Sequence, residues 1–198
     1  MRIKVIFFIT VIAIVALFVM VQLNNKKSQP IITSAAPAVT APVPTELLSS
    51  NMDSPDGSRT LTLEKKGMSY SLFISSKSEG QKVQIYKKEE VDSHKLEIPY
   101  NTWSPDNVYV FLKEKTPAID NYLVFQSSGN LFSNGLSYVT VQELFKKNMP
   151  DYIIEDITGW AAPNLLIVNA KLISDDKKVS FWFDVPSQSF TQLGTYFK

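Results

Sequence analysis

The stretch Trp103-Ser104-Pro105-Asp106-Asn107-Val108-Tyr109-Val110-Phe111 decides the architecture, because parts of it recur. Ser54-Pro55-Asp56-Gly57 precedes it, and a degraded Trp160-Ala161-Ala162-Pro163-Asn164 follows. The three prolines stand 50 and then 58 residues apart, the period of sheet-built repeats and not of helical ones. Proline at the second position of such a turn presets φ to about −65°, Asp or Ser bonds its own backbone, and Gly or Asn accepts the left-handed position. Pro55, Asp56 and Gly57, and likewise Pro105, Asp106 and Asn107, are therefore expected to be structural turn residues joining antiparallel strands.

Strand-like runs follow each copy. After the first come 59–66, 69–76 and 81–88, rich in Leu, Ile, Val, Tyr and Phe and broken by Gly67 and by Ser78-Glu79-Gly80. After the second come 108–114 and 121–127, and after the third 165–173, 178–185 and 190–193. The aromatic residue before Ser-Pro-Asp, with an apolar strand behind it, resembles the blade signature of the TolB-type, WD-like β-propeller repeats. Met52 stands near the first copy in place of Trp, and the third copy departs further, with Ala161, Ala162 and Asn164. The resemblance implies an all-β, incomplete, about three-bladed propeller-like stack of antiparallel sheets over 48–198. It also implies inner-strand packing for Trp103 and Trp160, and it supplies no catalytic residue.

Composition fits one ordinary folded domain: 44% hydrophobic, 12% aromatic and 20% charged. Cysteine is absent, which excludes disulfides, thiolate metal sites and lipidation on Cys. Residues 5–23 are apolar but for Thr10 and Gln22, and as a helix they would reach about 28 Å, the thickness of a bilayer's hydrocarbon core. The run is longer than the core of a cleaved leader and ends without a small-x-small site. Residues 1–27 thus read as a signal anchor, a single transmembrane helix with the amino terminus inside. Residues 28–47 are rich in Pro, Ala, Ser and Thr and read as an extended linker.

Beyond Leu47 the formal charge is −2, with no basic stripe, which argues against nucleic acid as a partner. The catalytic inventory is thin. His94 is the one histidine, and it reads as a solvated surface residue. No nucleophile elbow, zinc helix or phosphate loop occurs. The acidic clusters 89–92, 155–156 and 175–176 read as solvated turns. No catalytic, metal or cofactor residue is expected, and the chain is not expected to be an enzyme.

Two further features bear on partners. In 179–185, period-two alternation sets Trp182 on the face opposite Phe181 and Phe183, among Ser180 and Asp184, and makes it the candidate partner-binding residue. Val141, Leu144 and Phe145, between Thr140 as N-cap with Glu143 and the stop at Asn148 and Pro150, predict one short inserted helix that caps the stack. The first repeat alternates apolar and polar residues, whereas later strands are apolar on successive positions, so something must cover the third repeat. The helix, a second copy or a partner would serve.

The expected function is therefore that of a membrane-anchored extracytoplasmic binding or scaffolding protein acting through protein partners or self-association. The alternatives are a non-catalytic accessory subunit of an envelope peptidase or transport complex, and a glycan-binding module.

Overall fold

The computed structural model describes residues 46–89, 93–175 and 177–197. These form three consecutive four-stranded antiparallel sheets, each a meander of sequence neighbours. The first holds β1 (Leu47–Asp53), β2 (Arg59–Lys66), β3 (Ser69–Ser76) and β4 (Lys82–Glu89). The second holds β5 (Lys95–Glu97), β6 (Tyr109–Lys115), β7 (Asn121–Gln126) and β8 (Tyr138–Thr140). After it comes helix α1 (Val141–Asn148), then the third sheet of β9 (Tyr152–Ala162), β10 (Leu165–Leu172), β11 (Lys178–Asp184) and β12 (Ser189–Gln192). Three such sheets fit a propeller-like fold. Among the described residues no helix is long and apolar enough to cross a membrane. The expected span at 5–23 and most of the linker lie outside them, and the strand at Leu47 begins one residue before the expected domain boundary.

The repeated turns share one bonding scheme. Ser54 Oγ donates to Asp56 (2.6 Å) and accepts from the Arg59 amide, while the Gly57 amide bonds the Ser54 carbonyl. Ser104, Asp106, Tyr109 and Asn107 repeat each bond at the corresponding position. Both turn serines are buried, and these bonds satisfy their hydroxyls. Gly57 and Asn107 take the left-handed position at φ 70° and 62°. Bonds from Ser54 and then Ser58 pull the Asp56 carboxyl down to about 2. The third copy closes differently: Ala162 pairs with Leu165, so Pro163 and Asn164 alone make the reversal, and Asn164 Nδ2 bonds Asp184 at 2.7 Å.

The middle sheet explains the apolar runs. Val110, Leu112, Leu123 and Phe125 pack toward the first sheet with Leu61, Leu63, Leu72 and Tyr86. Phe111, Tyr122 and Val124, on the opposite face, pack with Leu166, Val168, Phe181 and Phe183 of the third sheet. A sheet buried on both faces needs no polar alternation.

Each sheet boundary also carries an indole. Trp103 is buried, and its Nε1 donates to the Met52 carbonyl at 3.1 Å; Trp160 Nε1 donates to the Thr102 carbonyl at 3.2 Å. Met52 and Thr102 stand two residues before the turn serines Ser54 and Ser104, so the same bond is made twice, one repeat apart. Trp160 also lies against the rings of Tyr109 and Phe111, with centroids 6.1 and 6.2 Å away. In the first repeat the residue before the turn serine is Asp53, which bonds Thr60 and Lys77 within its own sheet. Met52 therefore does not replace the missing indole; it supplies an acceptor to the next one. Gly159, beside Trp160, has φ 135°, and a Cβ there would lie 2.7 Å from Asn101 Cβ, so the close approach of these two sheets requires glycine.

Polar groups tie the boundaries elsewhere. Arg59 bonds Ser127, whose hydroxyl bonds the Asn107 carbonyl, linking the first turn to the second. At the far end Lys88 pairs with buried Glu114 at 2.7 Å, and buried Tyr122 donates its hydroxyl to Asp156 at 2.8 Å.

The helix forms where the sequence places it but does a different job. Val141 and Phe145 are buried, and Phe145 meets Phe181 and Phe190 edge-on at 5.1 Å each. It thus extends the core between the second and third sheets and does not cap the open end of the stack. Thr140 stands at the N-cap position but makes no side-chain cap bond, so the expected capping box does not form.

Gly57→Val is expected to lower thermal stability by about 3–8 °C, from about 1–3 kcal/mol of backbone strain. No neighbour lies within 4 Å of a Cβ there, so packing adds nothing to that cost. Asn107→Gly, in the same turn position, is expected to leave the melting temperature unchanged or slightly raised.

Burial, with the bond to Asp156, raises the Tyr122 hydroxyl to about 12. Its contribution is complete below the unfolded pKa of about 10 and is lost as pH rises through the folded value. Denaturant titrations of the protein and of Tyr122→Phe are expected to show a stability difference that shrinks by roughly 2–3 kcal/mol over that window. A constant difference across it would contradict the assignment.

Candidate interaction surface

The two outward faces of the stack differ in kind. On the first sheet, Thr62 stands across from Phe73 and Glu64 across from Ser71, and Lys82 covers the Phe73 ring at 4.0 Å while pairing with Glu64. Hydroxyls and a charged pair finish that face in water. The outward face of the third sheet is built from the alternate positions of β10 and β11. Leu166, Val168, Phe181 and Phe183 turn into the core, which leaves Leu165, Ile167 and Trp182 on the other side.

Trp182 is 37% exposed and pairs across the strands with Ile167 on one side and Thr191 on the other. The adjoining row is Leu165 with Asp184, and Asp184 is fixed by Asn164 and by the Ser187 amide at 2.9 Å. An indole and two half-buried aliphatic residues, rimmed by Asp184 and Thr191, make a small apolar centre with a polar border. Protein contact surfaces are built that way.

The next row is polar and buried. Asn169 and Ser180 pair across the strands, and Ser180 Oγ donates to Asn169 Oδ1 at 2.6 Å. Residues 193–197 come back over this row. The Phe197 amide donates to Ser180 Oγ at 2.9 Å, its carbonyl accepts from Asn169 Nδ2, and the Leu193 amide bonds the Ser180 carbonyl. Tyr196 reaches Glu155 at 3.2 Å, with Lys178 at 5.5 Å from the centre of its ring. Lys178, 3.0 Å from Glu155, holds that carboxyl below its ordinary range. Residues 193–197 therefore cover part of the third sheet, where the sequence points to the helix or to another molecule.

Other sequence expectations shift in detail. His94 is not a fully solvated residue: its Nδ1 lies 3.6 Å from buried Glu114, which also bonds Asn121. Lys88 of the first sheet, His94 and Asn121 thus gather round the Glu114 carboxylate. Glu155 and Asp156 lie within β9 and not in a turn, where they bond Tyr196 and Tyr122. Residues 90–92 and 176 of the other acidic clusters lie outside the described residues. A concavity of about 320 Å³ between β8 and α1 is lined by Leu136, Tyr138, Glu143 and Leu144 among others, and Glu143 is its one charged group. Among the described residues no three His, Asp or Glu side chains are grouped to hold a metal.

No family model and no curated protein matches the chain. Among solved structures, dipeptidyl peptidase 4 from Porphyromonas gingivalis aligns with 72% of this chain and 25% of its own, at 12% identity and a TM-score of 0.48. TolB from Acinetobacter baumannii aligns with 75% of this chain and 32% of its own, at 12% identity and a TM-score of 0.43. The chain thus spans between a quarter and a third of the length of those two proteins.

Proposed function

We propose that this chain is a membrane-anchored binding or scaffolding protein, not an enzyme, whose three-sheet domain sits outside the cytoplasm and meets a protein partner through the third sheet. The observation that carries this reading is the contrast between the two outward faces. On the outward face of the first sheet the Phe73 ring is covered by Lys82 among hydroxyls and a charged pair, whereas the third keeps Trp182, Ile167 and Leu165 together at a partly open surface. The apolar length of 5–23 and the Pro-rich stretch after it support an anchor and a spacer. The mild charge of the domain favours a protein over a nucleic acid.

The test is site-specific photocrosslinking in intact cells with the full chain. A photoreactive phenylalanine analogue at position 182 is expected to form a discrete adduct with one protein, and the same group at position 73, on the hydroxyl-lined face, is expected to form none. Membrane fractionation with protease protection reads the topology in the same cells. Equal labelling from both positions, or a chain recovered in the cytosol, would overturn the reading.

A further inference from the structure

We infer that Asn169 and Ser180 form a binding clamp for an extended peptide segment, and that residues 193–197 are its resident, displaceable ligand. The inference does not depend on membrane attachment or on the identity of any partner. Its basis is the matching of donors and acceptors. Asn169 and Ser180 are buried polar residues on a face whose other centre is apolar. Ser180 Oγ gives its proton to Asn169 Oδ1, which leaves the hydroxyl oxygen to accept an N–H and the Asn169 amide nitrogen to donate. The main chain of Phe197 supplies both: its N–H donates to Ser180 Oγ and its C=O accepts from Asn169 Nδ2.

Main-chain groups satisfy the pair, so the clamp itself reads backbone and not side chain. Asparagine and serine on adjacent strands are thereby set to hold one residue of a strand-like segment, as in other main-chain recognition. Selectivity comes from the neighbour. Tyr196 bonds Glu155 through its hydroxyl and lies near the Lys178 ammonium, and Glu155 and Lys178 are themselves paired. The ligand class is therefore an extended peptide with a tyrosine directly before the clamped residue.

The segment is held by few contacts: Leu193 and Tyr196 are half-buried, and Gly194, Thr195 and Phe197 are exposed. A covering built this way opens locally, without unfolding the sheet beneath.

Hydrogen exchange on the full chain tests the first half of the proposal. The Phe197 amide is expected to exchange at least tenfold faster than the paired amides of β10 and β11, and Asn169→Ala is expected to accelerate only 193–197. Exchange of Phe197 in step with those strands would overturn the proposal. The second half uses the chain ended at Gln192 and the synthetic peptide Leu-Gly-Thr-Tyr-Phe. Saturable one-to-one binding, weakened tenfold or more by Asn169→Ala in the protein or by alanine in place of the peptide's tyrosine, is the expected result. Failure of the shortened chain to fold, absence of binding to a folded one, or binding indifferent to Asn169 would each overturn it.

Discussion

Two indole N–H groups, each given across a sheet boundary to the main chain of the preceding sheet, set how the three sheets stand against one another. Trp103 reaches Met52 and Trp160 reaches Thr102, and in both cases the acceptor stands two residues before a turn serine of the sheet it belongs to or leads into. A bond of this kind is worth only about 1 kcal/mol net, but leaving the indole buried without it costs about 1–3 kcal/mol, so its main effect is on alignment. Sheets that slid past one another would strand both donors. The turn serines, the positive-φ residues that follow them and Gly159 are all arranged around these two points. Asp53, in the corresponding place of the first repeat, bonds inward to its own sheet, so the indole series starts at the second repeat.

The core follows from that alignment. With both faces of the middle sheet covered, β6 and β7 can be apolar at consecutive positions, and Tyr122 is the polar exception because its hydroxyl finds Asp156 in the next sheet. The first sheet alternates and stops in water. The third sheet is intermediate: its inner face is packed by Phe145 and the middle sheet, and among the described residues its outer face is covered where Asn169 and Ser180 hold the returning segment 193–197.

Much of this could be read from the chain alone. The repeated Ser-Pro-Asp turns, the three strand blocks, the short helix and the side of β11 on which Trp182 lies all come from local signals: turn chemistry and period-two or period-3.6 patterning. What local signals do not carry is pairing between distant segments. β1 and β9 escape the reading because Leu47–Asp53 is mostly polar and Tyr152–Ala162 contains bulges that break its alternation. The return of 193–197 over the third sheet has no sequence signature, since the clamp residues Asn169 and Ser180 look like ordinary outward polar positions until Phe197 is seen between them. The helix lies where the sequence predicts it, but packs into the core between the second and third sheets where capping of the stack was expected, because an amphipathic pattern says which side is buried and not against what. The indole acceptors, being main-chain carbonyls, have no sequence signal at all.

Exchange of the three indole protons, followed by nuclear magnetic resonance on the folded protein with ¹⁵N-labelled tryptophan, tests the central assignment most directly. The account requires Trp103 and Trp160 Nε1–H to be protected to the same degree as paired amides of β6 and β7, and Trp182 Nε1–H to exchange far faster than either. Exchange of Trp103 and Trp160 as fast as that of Trp182, in a protein whose strand amides remain protected, would show that the sheets are not held together at these points.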